Sequence, residues 1–204
     1  GVQPGEITVM DALLYAHQVI YGEAFTKDTM GDYISGSASY VTKIFKRDAE
    51  NGLGFTVNDR LPVGEKSDGY AANEYVLEDG DGVTWFLYGG AYWNDYYSYF
   101  DQKAVEIEAG APITLTLNAF YAMEAMMQTP GQDTPELTTR GYVSHAEIYL
   151  INQSSGTILE PLDAQNPVQT DESGTFTYVF ETPGTYCLTA IGTVDGMGME
   201  NPIV

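Results

Sequence analysis

The stretch Thr175-Phe-Thr-Tyr-Val-Phe180, joined through Glu181-Thr-Pro-Gly184 to Thr185-Tyr-Cys-Leu-Thr-Ala-Ile191, decides the fold of the second half of the chain. Polar and apolar side chains alternate along it with the period of a strand, and Pro-Gly between the two runs is turn chemistry. Outward from this stretch the same alternation recurs in Val105-Glu-Ile-Glu108, Ile113-Thr-Leu-Thr-Leu117 and Ala146-Glu-Ile-Tyr-Leu-Ile151, with Gly, Pro, Asn and Asp between them. The spacing predicts an antiparallel β-sandwich over residues 102–204.

The first half has a different pattern. Thr8 can cap a helix whose Asp11, three residues on, reaches back in a capping box. Val9, Leu13, Ala16 and Ile20 follow at helical spacing, Leu14 and Val19 widen the stripe, and Gly22 ends it. Residues 8–21 therefore read as an amphipathic helix. Tyr40 to Phe45 reads as a strand, Asp48 to Gly52 as a loop, and Gly54-Phe-Thr-Val-Asn-Asp59 as a strand entering a hairpin turn. Tyr75-Val-Leu77 and Val83-Thr-Trp-Phe-Leu-Tyr88 flank the turn Glu78-Asp-Gly-Asp-Gly82. One helix on a small mixed sheet is expected, with a domain boundary near Asp101.

The chain's 204 residues suit two domains, 1–101 and 102–204, and its 44% hydrophobic content supports real cores. Eight Lys+Arg against 29 Asp+Glu give a net charge of -21, spread over both halves. That field repels phosphate backbones and anionic lipid, which argues against nucleic-acid and membrane-surface partners. No apolar run approaches the ~20 residues that span a bilayer. A single cysteine, Cys187, allows neither an internal disulfide nor a cysteine-based zinc site. An acidic, Tyr-rich, Lys-poor chain with almost no cysteine fits the bacterial surface, and Gly1 in place of an initiator Met fits a leader removed upstream.

Two resemblances follow from these residues. Thr8-Val-Met-Asp-Ala-Leu13, Gly54-Phe-Thr-Val-Asn58 and Tyr75-Val-Leu-Glu-Asp-Gly-Asp-Gly-Val-Thr-Trp85 look like the landmarks of the transcobalamin C-terminal-like domain family. The match covers residues 6–89. Phe55 stands where that family has Trp, and Asp59 where it has a turn Gly. The resemblance implies a β-grasp-like fold, and by analogy a corrinoid ligand, although no corrin-contacting residue maps onto this chain. Residues 102–204 resemble bacterial immunoglobulin-like repeats through Thr170-Asp-Glu-Ser-Gly174 and Gly184-Thr-Tyr-Cys-Leu-Thr-Ala190. That resemblance puts Tyr186 in a tyrosine corner, Leu188 on the inward face and Cys187 on the outward one. The expected class is α+β followed by all-β.

The candidate site is aromatic. Trp85-Phe-Leu-Tyr88, Tyr92-Trp93 and Tyr96-Tyr97-Ser-Tyr99-Phe100 crowd the domain junction. One reading makes Trp85 and Leu87 core and packs Tyr97 to Phe100 between the domains. The other makes Tyr88, Tyr92, Trp93 and Tyr96 a platform on which a neutral glycan or a planar corrinoid stacks. Glu78-Asp-Gly-Asp-Gly82 fails as a calcium loop because Val83 occupies the fifth ligand place. His17, on the helix, and His145, on a strand, stand far apart in sequence, with no metal pair between them. Met123, Met126 and Met127 belong to an insertion, residues 121–141, that serves either as an apolar lid or as an adaptable partner surface. Lys103 and Asn201 open and close the second domain, as in domains stapled by a Lys-Asn isopeptide bond beside a buried acid, for which Glu147 is the candidate.

No nucleophile elbow, phosphate-binding loop or dinucleotide fingerprint occurs in the sequence. The expectation is a secreted or wall-associated bacterial binding or adhesion protein without catalytic activity or cofactor, its partner a neutral glycan, a surface protein or a corrinoid. Carriage of a planar small molecule and service as a structural stalk are the alternatives.

Overall fold

The computed structural model describes residues 2–37, 40–49, 52–62, 69–88, 96–121, 141–151, 159–194 and 197–198. The chain divides into two compact units, the first Gly1–Trp93 and the second starting at Asn94. Asp101 thus lies inside the second unit, because the strand ahead of it hydrogen-bonds into that unit's sheet. Strand pairings among the described residues are all antiparallel, so the mixed sheet expected of the first half is not what forms there.

Helix α1, Val9–Tyr21, opens on the expected capping box. The Thr8 side chain accepts from the Asp11 N–H at 3.2 Å, and the Asp11 carboxylate accepts from the Thr8 N–H at 2.9 Å. Gly22, at φ 55, ends the helix. The buried stripe is Val9, Leu13 and His17, while Val19 and Ile20 face solvent. Spacing i, i+4, i+8 fits this stripe as well as the apolar residues fit theirs, and a polar partner makes the difference. Nδ1 of the fully buried His17 lies 2.8 Å from the Leu13 carbonyl, and its Nε2 accepts the Phe45 N–H at 2.9 Å. Since the amide must donate, the proton sits on Nδ1 and points at Leu13. The ring stacks on Phe45 at 4.1 Å and on Phe25 at 5.3 Å.

After a 3-10 turn at Gly22–Ala24 come the short helix α2, Met30–Tyr33, and the strands β1, Ser35–Ser37, β2, Tyr40–Ile44, and β3, Arg47–Asp48, which form one sheet in that order. Phe45 and Lys46, both at positive φ, make the two-residue turn between β2 and β3. A separate ladder joins β4, Leu53–Val57, to β5, Val83–Leu87, with Phe55 opposite Trp85. At the end of β4, Asn58 and Asp59 have positive φ between the reciprocal hydrogen bonds of Val57 and Arg60, the hairpin turn expected from the sequence. Residues 75–77 do not pair with β5. They bond instead to the start of α1, through Val9 N–H to Tyr75 O at 3.1 Å and Leu77 N–H to Ile7 O at 2.8 Å. The turn between these segments keeps its carboxylate occupied, since Asp81 accepts from the Glu78 N–H and from Asn58 Nδ2.

The second unit begins with β6, Tyr96–Phe100, paired with the long strand β7, Pro112–Tyr121. Strand β8, Gly141–Tyr142, and β11, Thr175–Val179, also pair with β7. The other sheet has the order β10, Leu159–Pro161, β9, Glu147–Ile151, and β12, Leu188–Ile191. A hairpin of β13, Thr193–Val194, with β14, Met197–Gly198, follows. Both sheets feed one core: Tyr96, Phe100, Leu115, Leu117 and Phe176 from the first, Ile148, Leu188 and Ala190 from the second. Burying each of its aliphatic side chains is worth about 1.5–3 kcal/mol, which makes this core the main stabiliser of the unit.

Three expectations change here. Tyr96–Phe100 is a strand buried on both faces, with Tyr96 and Phe100 in the core of the second unit. Residues 105–108 form no strand, and the strand expected from Thr185 starts only at Leu188. His145 lies in a turn at φ 57, exposed, with Nε2 3.6 Å from Glu172. Among the described residues no helix is long and apolar enough to cross a membrane.

Candidate functional site

Of the four rings expected to form a platform, two lie in protein interiors. Tyr88 is 7% exposed and meets Phe86 edge-on in the first unit, and Tyr96 is 0% exposed in the core of the second. Neither presents a face to a ligand. The reason for Tyr96 is that it lies on β6, the end strand of the β11-β7-β6 sheet, and turns into the core of the second unit. Tyr92 and Trp93 lie outside the described residues, as do Met123, Met126, Met127 and Asn201. Trp85 is half-buried, packs against both core clusters of the first unit and meets Phe55 at 5.2 Å, while Phe86 beside it is the more buried residue. Glu147 does not serve as a buried acid. It is exposed and accepts from the Tyr149 hydroxyl at 2.5 Å, and this bond holds the Tyr149 phenol above its usual range. Among the described residues no group of three or more His, Cys, Asp or Glu is placed to hold a metal.

The structure instead opens a site within the second unit. The β6–β7 ladder stops at Asp101, whose N–H donates to the Thr116 carbonyl at 2.9 Å while its carboxylate accepts from the Thr116 N–H at 3.0 Å. With its own side chain capping the next position, the chain leaves β7 and runs as an irregular segment, with a bend at Lys103, until a turn closed by Ala111 N–H to Glu108 O at 3.0 Å. Gly110 N–H to Phe180 O at 2.9 Å ties that turn to the end of β11. Beyond Phe180, Pro183-Gly184 interrupts the alternation, and a second irregular segment leads into β12. Its geometry is set by Tyr186, whose hydroxyl donates to the Thr182 carbonyl at 2.7 Å and whose ring stacks on Phe180 at 4.1 Å. A bond from a Tyr hydroxyl to main chain a few residues upstream is the tyrosine-corner contact. Leu188 returns to the core, and Cys187, expected to face outward, is half-buried.

Between these two segments lies an open groove of about 740 Å³. Residues 103–109 form one wall and residues 182–187 the other, over a floor of Ile113, Phe180 and Leu188. On the walls, Ile107 is 42% and Tyr186 36% exposed, both large apolar groups open to solvent. Among the described residues lining it, Lys103 supplies the cation and Glu106 and Glu108 the carboxylates. Also among the described residues, the main-chain N–H and C=O groups of residues 104–107 and 184–186 enter no hydrogen bond. Chemically the groove offers an apolar floor, an acidic rim and two lengths of irregular backbone whose polar groups are available.

Sequence reasoning missed this site because Val105-Glu-Ile-Glu108 alternates as well as any paired strand does. The signals present were local ones, Pro183-Gly184 breaking one wall and Asp101, a strand-breaking residue, at the mouth of the other. Comparison of the chain with protein-family models, with curated proteins and with solved structures found no match.

Proposed function

We propose that this chain is a secreted or wall-associated bacterial binding or adhesion module without catalytic activity, a β-grasp-like unit followed by an immunoglobulin-like one. Its working surface is the groove of the second unit, and its partner is a surface protein that presents an extended segment. One observation carries the reading: residues 104–107 and 184–186 flank an apolar floor, and among the described residues their main-chain groups enter no hydrogen bond. Exposed backbone of this kind, beside exposed Ile107 and Tyr186, suits a polypeptide strand far better than a sugar. The burial of the Tyr88 and Tyr96 rings supports a recognition surface other than these two residues.

Titrating isotope-labelled protein with extended peptides and, separately, with neutral glycans and cobalamin tests the proposal by amide chemical shift. Peptides are expected to move the amides of residues 103–109 and 182–188. Shifts confined to the Tyr92 and Trp93 signals on adding glycan or cobalamin would return the site to the junction aromatics and overturn the groove.

A further inference from the structure

Resting on that reading of the groove, we infer that its occupant is a basic, alternating strand of a partner protein, bound by adding to the main chain of residues 104–107.

The first support is the geometry of the wall. Residues 104–107 belong to no strand, and among the described residues their main-chain groups enter no hydrogen bond; four residues drawn out against an incoming strand would span ~13 Å, enough for two pairs of ladder bonds. Natural sheets protect such edges with Lys, Pro, bulges or a covering loop. Among the described residues no Pro falls within 104–107: Lys103 stands at the start of the same wall, and the Pro of this region, Pro183, stands on the opposite one. Val105 packs partly against the core, while Glu106 and Glu108 are exposed. Ile107, in phase with Val105, stays open to solvent within the groove. A strand laid here would set an apolar residue against Ile107 and the floor, and its other face against the two carboxylates.

The second support is charge. Glu106 and Glu108 stand on the wall, and the Glu181 carboxylate lies near Gly110 in the turn that follows it. The whole chain carries -21. Opposite charge steers a cationic segment in and raises its association rate, while a second copy of this chain would bring another -21 and be repelled. Lys or Arg alternating with Val or Ile satisfies the acidic rim, the apolar floor and the free backbone together.

The probe is a synthetic peptide of about ten residues alternating Lys and Val, measured by calorimetry and by amide shifts against the full chain. It is compared with a Glu/Val peptide, a Thr/Val peptide, and two Lys/Val peptides N-methylated on alternate residue sets. The Lys/Val peptide is expected to bind at least ~10-fold more tightly than the Glu/Val one, and to weaken as salt rises. One N-methylated set should abolish binding and the other leave it intact, because only alternate N–H groups of an added strand face the ladder. E106K/E108K should invert the charge preference, and Ile107→Asp should remove binding of all the peptides; these side chains are exposed, so the fold should survive both changes. Equal binding of the Lys/Val and Thr/Val peptides, with the groove amides moving in both, would overturn the basic partner and leave the groove as the site. Binding indifferent to either N-methylated set would overturn strand addition alone. Failure of every peptide to move residues 103–109 would overturn both this inference and the function on which it rests.

Discussion

Replacing His17 tests the deepest polar contact of the first unit. His17→Phe keeps a flat ring between Phe45 and Phe25, at 4.1 and 5.3 Å in the native protein, but removes the acceptor for the Phe45 N–H. The Leu13 carbonyl still has its helical N–H partner, so the main loss is one buried, unsatisfied amide, which costs about 1–3 kcal/mol. His17→Ala loses that bond and also the ring contacts, and leaves a cavity. Adding the transfer and cavity terms raises the expected cost to about 3–5 kcal/mol. The Phe variant therefore isolates the hydrogen bond, and the difference between the two variants isolates the stacking. Urea unfolding followed by Trp fluorescence and far-UV circular dichroism reads both, with amide exchange of α1 as the local check, since two units need not unfold in one step. A Phe variant that loses less than ~0.5 kcal/mol would refute the assignment of Nε2 as an acceptor. An Ala variant no worse than the Phe variant would refute the role given to the stack.

Thr8→Ala removes the capping box that Thr8 shares with Asp11, and should cost about 1–2 kcal/mol in the same unfolding assay; no measurable change would mean that the box does not hold α1. Gly174→Ala introduces a Cβ at φ +70, 2.4 Å from the Tyr142 Cβ and 2.8 Å from the Leu117 carbonyl, so the backbone must move; a loss above ~2 kcal/mol in the second unit is expected, and a neutral result would contradict the close approach of β7, β8 and β11. The Ser173 hydroxyl, with the N–H groups of Thr175 and Ser173, holds Asp171 below the usual carboxylate range. A depressed folded value means the unfolded chain takes up the proton first, so this stabilisation is full above the ordinary Asp value of ~3.9 and is lost as pH falls through the lower folded one. The melting temperature of Asp171→Asn should accordingly fall less than that of the parent over that acid window, and parallel acid profiles would refute the role of the turn.

What could be read from the sequence was what neighbouring residues decide among themselves. The Thr8-Asp11 box, the stop at Gly22, the Asn58-Asp59 turn and the Tyr186 corner each close within a few residues, and each is present in the fold. Pairing across distance was not legible. Val83–Leu87 and residues 75–77 look like two arms of one hairpin, but each satisfies its backbone elsewhere, against β4 and against the start of α1. His17 is the same case in a side chain, because what makes its burial tolerable is an amide 28 residues away. Tyr96 and Tyr88 failed as platform residues because aromatic density marks a core as readily as a surface, and only the partner strands distinguish the two.

The groove extends this reasoning to its limit. Whether a strand-like segment is paired depends on whether another segment arrives beside it, so an edge left open carries no sign in its own residues. Residues 104–107 have the alternation of a strand and the hydrogen bonds of a loop. A sequence that stably keeps such an edge must gain something from it or shield it, and a charge of -21 shields it against further copies of the same acidic chain. The acidity that argues against nucleic acid as a partner thereby acquires a second consequence. On the proposal made for the groove, it would oppose self-association and favour a basic strand, so specificity here would come from repulsion of the wrong partner as much as from attraction of the right one.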